Sequence, residues 1–160
     1  MSVPAQKYRT FKEDHSFGKE GEEMLESVLK RLTPHQLIHT ECPMAAWDWI
    51  GIKKGQLKFA AESKRRHQKS HEWPTTMLKY LKVERASKLE IPVWFIFIFD
   101  DSIWGIQYNK ELFDTYPTDI RKLPDRVDYI EKEEKRIYIP MKDMTCFLRM
   151  TPKPLFLEED

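Results

Sequence analysis

Cysteine is scarce: Cys42 and Cys146 are the only two in 160 residues, and neither has a second cysteine close by. That excludes a disulfide framework and a thiolate zinc site and leaves two ordinary reduced thiols as the expectation. Long apolar runs are lacking too. The longest, Val93 to Phe99 (VWFIFIF), falls far short of the roughly 20 residues of a membrane-crossing helix. The opening stretch MSVPAQKYRTFKEDHS has no apolar segment of the kind that directs secretion. An intracellular, cytoplasmic protein with no membrane partner is therefore expected. No repeat or low-complexity tract breaks the chain, and a hydrophobic content of 41% is enough to build one core. One domain spanning residues 1–160 is the simplest organisation.

Net charge is also nearly absent, at +1, but this balance hides an uneven distribution. From Lys53 to Lys88 there are eleven Lys and Arg against three Glu, while the flanks are acidic and the chain ends in LEED. A basic segment in the middle of a neutral chain points to a polyanion partner, with an ordinary solvated charged face as the alternative.

Hydrophobic spacing predicts the elements. Phe17, Met24, Leu25, Val28, Leu29 and Leu32 recur at helical intervals and Pro34 ends the pattern, which predicts a helix over 17–32. Strands are predicted over 35–42, 45–52 and 57–64, the last two joined by the turn KKGQ. Pro74 suits the start of a second helix over 75–89, which stops before Pro92. The apolar run beginning at Val93 reads as a central buried strand and SIWGIQYN (102–109) as its neighbour. Beyond Asn109 the pattern is weaker: Thr115–Asp125 reads as a loop and Arg136–Met144 as a late strand. The result is an α/β domain with a mixed sheet flanked by helices, a core of about 17–109, and a C-terminal extension over 110–160.

Within that frame two carboxylates occupy unusual places. In LKFAAESK, Glu62 and Lys64 share one face of the strand with Lys58 and Ala60, opposite Leu57, Phe59 and Ala61. In AAWDWIGI, Asp48 takes the side opposite Trp47 and Trp49. A carboxylate in an apolar strand requires a partner, and two that meet across a hairpin repel unless a proton or a cation lies between them. A hard divalent ion such as Mg2+ is a suitable cation.

The order helix, three strands, helix, strand, with Asp48 fourteen residues before Glu62-Ser63-Lys64, resembles the PD-(D/E)xK nuclease superfamily and its restriction-endonuclease-like fold (αβββαβ). Trp47 stands where the family often has proline. Gly18-Lys19-Glu20-Gly21-Glu22 is similar to the G-x-x-G-E element of bacterial members and nominates Glu22, with Glu20 and Glu26 as rivals. A second E-x-K triplet, Glu133-Glu134-Lys135, lies in the polar run EKEEKR and serves as an internal control.

The resemblance implies a DNA endonuclease that uses Mg2+, with Mn2+ as a substitute. Asp48, Glu62, the Ser63 backbone carbonyl and Glu22 would hold the metal, and Lys64 would assist the attacking water. It also implies a phage, mobile-element, homing or junction-resolving enzyme that acts on duplex or branched DNA as a homodimer or larger homo-oligomer. Arg65, Arg66, Lys69, Lys79, Lys82 and Arg85 are the expected phosphate contacts, the last three spaced along the second helix. The alternatives are an exonuclease or RNA-directed member, and a binding module that has lost catalysis. His67 and His71 lack a third ligand for a metal site, and Trp73 and Tyr80 are candidates for base stacking or for the core.

Overall fold

The computed structural model describes residues 11–40, 47–123 and 132–150, with the backbone alone for 11–18. Helix α1 (Phe11–Leu32) begins earlier than its apolar spacing indicates and ends where Pro34 forbids continuation. Leu25, Val28 and Leu29 form its buried stripe, and Lys30 and Arg31 occupy the last turn, where cations favour the helix dipole.

Strands β1 (Gln36–His39), β2 (Trp49–Lys53) and β3 (Gln56–Arg65) then run as an antiparallel meander. Lys54 and Gly55 both have positive φ, 51° and 72°, as a two-residue type I′ hairpin requires. A register shift at Gly51/Ile52 leaves Lys58 without a partner on β2, so strict alternation breaks between Leu57 and Phe59. Gly51 has a packing reason: the Phe59 ring lies where a Cβ would be. The predicted strands over 35–42 and 45–52 reach into 41–46, and Cys42 with them, outside the described residues.

The segment predicted as one helix over 75–89 is two elements. Thr75–Lys79 forms strand β4, and helix α2 covers Tyr80–Ser87. The β-branched Thr75 and Thr76 and the inward alternation of Thr76 and Leu78 suit a strand, and pairing with a later strand outweighs the helical pattern. Strand β5 (Val93–Ile98) follows, parallel to β3, and β6 (Ser102–Gln107) returns antiparallel to it. The short helix α3 (Lys110–Phe113) is capped by the Asn109 side chain, which accepts from Leu112 N–H at 2.9 Å.

The remaining chain is more regular than predicted. Strand β7 (Thr118–Lys122) lies inside the expected loop, and β8 (Glu133–Pro140) begins earlier than the expected late strand and gives way to a 3-10 turn at Met141–Asp143. Strand β9 (Thr145–Arg149) was not predicted. The main sheet is β1-β2-β3-β5-β6-β9, mixed because β3 and β5 are parallel; a second sheet is β4-β8-β7. The fold is thus α/β with a mixed sheet and few helices, and residues beyond Asn109 are integral to both sheets.

Helix α1 covers one face of the main sheet through Leu25, Val28, Leu29, Trp49, Ala61, Ile96, Ile98 and Ile103. The other face buries Phe95, Phe97, Phe99 and Ile106 together with Leu78, Val83, Ala86, Ile137 and Ile139 from α2 and the second sheet. Trp104 belongs to that core, with its Nε1–H donating to Ser102 Oγ at 2.7 Å. No described helix is long and apolar enough to cross a membrane.

Candidate active site

Glu62 neighbours Phe95 on β5, and Lys64 neighbours Phe97, so both project from β3 into the space under α2. Asp48 stands just before β2, whose first residue pairs with Ala61. Its N–H donates to the Ala61 carbonyl at 3.1 Å, and its Oδ2 accepts from Ser63 N–H at 2.9 Å. The side chain therefore takes the ladder position that a further β2 residue would fill. In extended backbone the N–H and C=O of one residue point the same way, so the Ser63 carbonyl also faces this gap.

The site is short of compensation. Glu62 is only 3% exposed, yet its Oε2 has no hydrogen-bond partner among the described residues. Its Oε1 receives Lys82 Nζ from α2 at 2.9 Å and lies 3.8 Å from Lys64 Nζ. Burial, and then the adjacent Asp48 carboxylate, push the Glu62 carboxyl up to about 7 against the pull of Lys82 and Lys64. Two carboxylates, one with an open oxygen, and a backbone carbonyl at one gap are the hard donors that a divalent ion prefers.

The other nominated residues divide sharply. Glu22, half-buried on α1, lies 3.1 Å from His39 Nε2, and the His39 ring stacks on Trp49 at 4.3 Å. Among the described residues no three of His, Cys, Asp and Glu converge as a metal-holding group, so Glu22 does not complete one with Asp48 and Glu62. Of its rivals, Glu20 bonds Arg65 at 3.0 Å and Glu26 pairs with Lys30 at 3.2 Å. Gly21 permits the first contact: a Cβ there would sit 2.8 Å from Arg65 Cδ, so α1 could not lie as close to β3.

Nor do the expected phosphate contacts form one stripe. Arg65 is turned toward α1. Arg66 donates to the Met77 carbonyl and faces the Phe97 ring, and burial, then the nearby Arg136, lower its pKa. Lys79 is on β4 rather than a helix and lies 3.6 Å from Glu134. Lys82 is committed to Glu62, leaving Lys69 and Arg85 as exposed members.

Lys82 in its actual role was missed. Its distance from the E-x-K triplet in sequence conceals the contact, although its place one residue before the buried Val83 on α2 carries the signal. Trp47 also departs from expectation. It precedes β2, so strand alternation does not govern it, and it packs 6.4 Å from Phe95 on the Glu62 side. His67 and His71 lie on the loop after β3, where His67 meets Asp100 at 3.5 Å and His71 meets Ser70 Oγ at 3.0 Å. Trp73 is exposed on that loop, and Tyr80 lies under Lys135.

Compared with known proteins, the chain matches no protein-family model and no curated protein.

Proposed function

We propose that this protein is a Mg2+-dependent nuclease of the PD-(D/E)xK kind that hydrolyses phosphodiester bonds in DNA. The observation that carries the reading is the buried Glu62 carboxylate, with one oxygen unpartnered among the described residues, beside an Asp48 carboxylate fixed just before β2. The order α1, β1-β2-β3, α2 and a β5 strand parallel to β3 supports it, with β4 inserted before α2.

Asp48, Glu62 and the Ser63 carbonyl would hold Mg2+ or Mn2+, with Glu22, tied to His39, contributing no more than a water-bridged contact. When bound, the ion lowers the pKa of a water and offsets charge on the phosphate. The chain's own part is to position the groups. Asp48 is fixed by the Ser63 N–H, and Glu62 is held in an apolar wall, where its ionised form gains most from a cation. Lys64, with a half-exposed side chain, can donate to a water at the mouth of the site, while Lys82 compensates Glu62 from behind. Because a proton competes for Glu62, metal affinity rises with pH through about 7. Lys69 and Arg85 lie on the surface offered to the phosphate backbone. Replacing either should reduce the salt dependence of DNA binding by a slope of about 0.9.

One observation favours a second reading. Lys82 already neutralises Glu62, as it would in a binding module that has lost catalysis. Cleavage of supercoiled plasmid, linear duplex, branched DNA and RNA at low salt with Mg2+, Mn2+ or EDTA separates the two. The nuclease cuts DNA only with metal and loses activity in Glu62→Ala and Lys64→Ala. Binding that is equal in all three proteins, without cutting of any substrate, establishes the module, and cutting of RNA alone establishes an RNA-directed enzyme.

A further inference from the structure

Among the described residues strand β7 is an edge of the second sheet, paired with β8 alone. Its register with β8 is Thr118↔Ile137, Asp119↔Arg136, Ile120↔Lys135, Arg121↔Glu134 and Lys122↔Glu133. Tyr138 N–H donates to the Pro117 carbonyl, and Leu123 N–H to the Lys132 carbonyl. Hydrogen-bonded pairs alternate along an antiparallel ladder, so Asp119 and Arg121 also turn their backbone groups toward β8. Thr118, Ile120 and Lys122 turn theirs outward, a row of donors and acceptors with no strand partner among the described residues. The opposite edge of this sheet is blunted by Arg66, which donates to the Met77 carbonyl of β4.

Ile120 sits at the centre of this open row and is 65% exposed, the most of any large apolar side chain described. The sequence around it, Thr-Asp-Ile-Arg-Lys, is complementary to itself. A two-fold axis at Ile120 places Ile120 opposite Ile120 of a second copy and Thr118 opposite Lys122. Asp119 then meets Arg121 twice, in the closer, non-hydrogen-bonded type of pair. Centring the axis on Asp119 or Arg121 loses both oppositely charged pairs.

We propose that β7 is a self-association surface, where two copies of this chain pair antiparallel about Ile120 and join their second sheets into one continuous sheet. The inference does not depend on the nuclease reading. The surface is short, so the dimer is concentration-dependent, and Asp119 exchanges part of its contact with Arg121 of its own strand, now 3.0 Å away, for the partner strand.

Sedimentation velocity of the full chain over a concentration series tests this. Wild type should shift from monomer to dimer. Ile120→Arg, at a side chain the fold does not bury, should remain monomeric with an unchanged melting temperature. Asp119→Arg and Arg121→Asp should each be monomeric alone, because like charges then face each other at both crossings. Mixed in equal amounts, those two variants should form a heterodimer. A wild type that is monomeric throughout, an Ile120→Arg protein that dimerises like wild type, or a mixture that stays monomeric despite two folded variants would overturn the proposal.

Discussion

The chain contains two E-x-K triplets on strands, and their surroundings differ completely. Glu62-Ser63-Lys64 lies in β3 with Glu62 buried, its Oε2 without a partner among the described residues and Asp48 beside it. Glu133-Glu134-Lys135 lies in β8 of the smaller sheet, so it too is on a strand, contrary to its polar sequence context. There Glu133 is exposed, and Glu134 is matched by Arg136 at 2.8 Å and Lys79 at 3.6 Å. Lys135 rests on the Tyr80 ring at 3.8 Å. In the second triplet each described charge has a neighbour or solvent; in the first, one buried oxygen has no partner among the described residues. Depth and unmet charge, rather than the triplet itself, thus set the proposed site apart.

The largest expected contrast between them is catalytic. Glu62→Gln should reduce metal-dependent DNA cleavage by about a hundredfold or more, since a ligand oxygen that supports several kcal/mol of charge stabilisation is lost. Glu133→Gln, assayed on the same plasmid, should match wild type. Comparable losses in both would erase the distinction.

The next contrast is in stability. Between pH 4.5 and about 7 the folded chain retains a proton on Glu62 that the unfolded chain has released. Stability should therefore fall as pH rises through that interval, by about 3 kcal/mol from this group. Urea unfolding without metal should show this slope in wild type and in Glu133→Gln, and should lack it in Glu62→Gln. Added Mg2+ should restore much of the stability at pH 8 by binding the folded state.

The lysines give the smallest contrast. Lys82→Met removes the ammonium from the buried Glu62 and should cost about 1–3 kcal/mol at pH 8, and much less at pH 5, where the carboxyl is protonated. Lys135→Met removes a cation from an aromatic face and should cost about 0.5–1 kcal/mol at either pH. Equal costs for the two lysines at pH 8 would place Glu62 in a far wetter setting than the fold gives it.

Much of the main sheet was legible because its signals are local. The apolar strand before Glu62, the buried run from Val93 and the turn at Lys54-Gly55 each lie within a few residues. The approach of Asp48 to Glu62 follows from a short hairpin whose register shift at Gly51/Ile52 sets Trp49 opposite Ala61. The second sheet was hidden because β4, β7 and β8 are stabilised by one another across long separations, and Thr75–Lys79 carries a helical pattern that strand pairing overrides. Lys82 and Arg66 look like surface cations in the sequence for the same reason. Their burial depends on α2 and β4 folding back over β3, which charge counting along a chain does not reveal. The Gly21-Glu22 segment carried two messages: Gly21 admits Arg65, while Glu22 meets His39 rather than the Glu62 pocket.

Calorimetric titration of Mg2+ and Mn2+ at pH 8 tests most directly whether the Asp48–Glu62 gap is a divalent-metal site. Wild type and Glu133→Gln should bind with the same affinity, and Asp48→Asn and Glu62→Gln at least about tenfold more weakly. Equal binding by all four proteins, or none by wild type, would contradict the account.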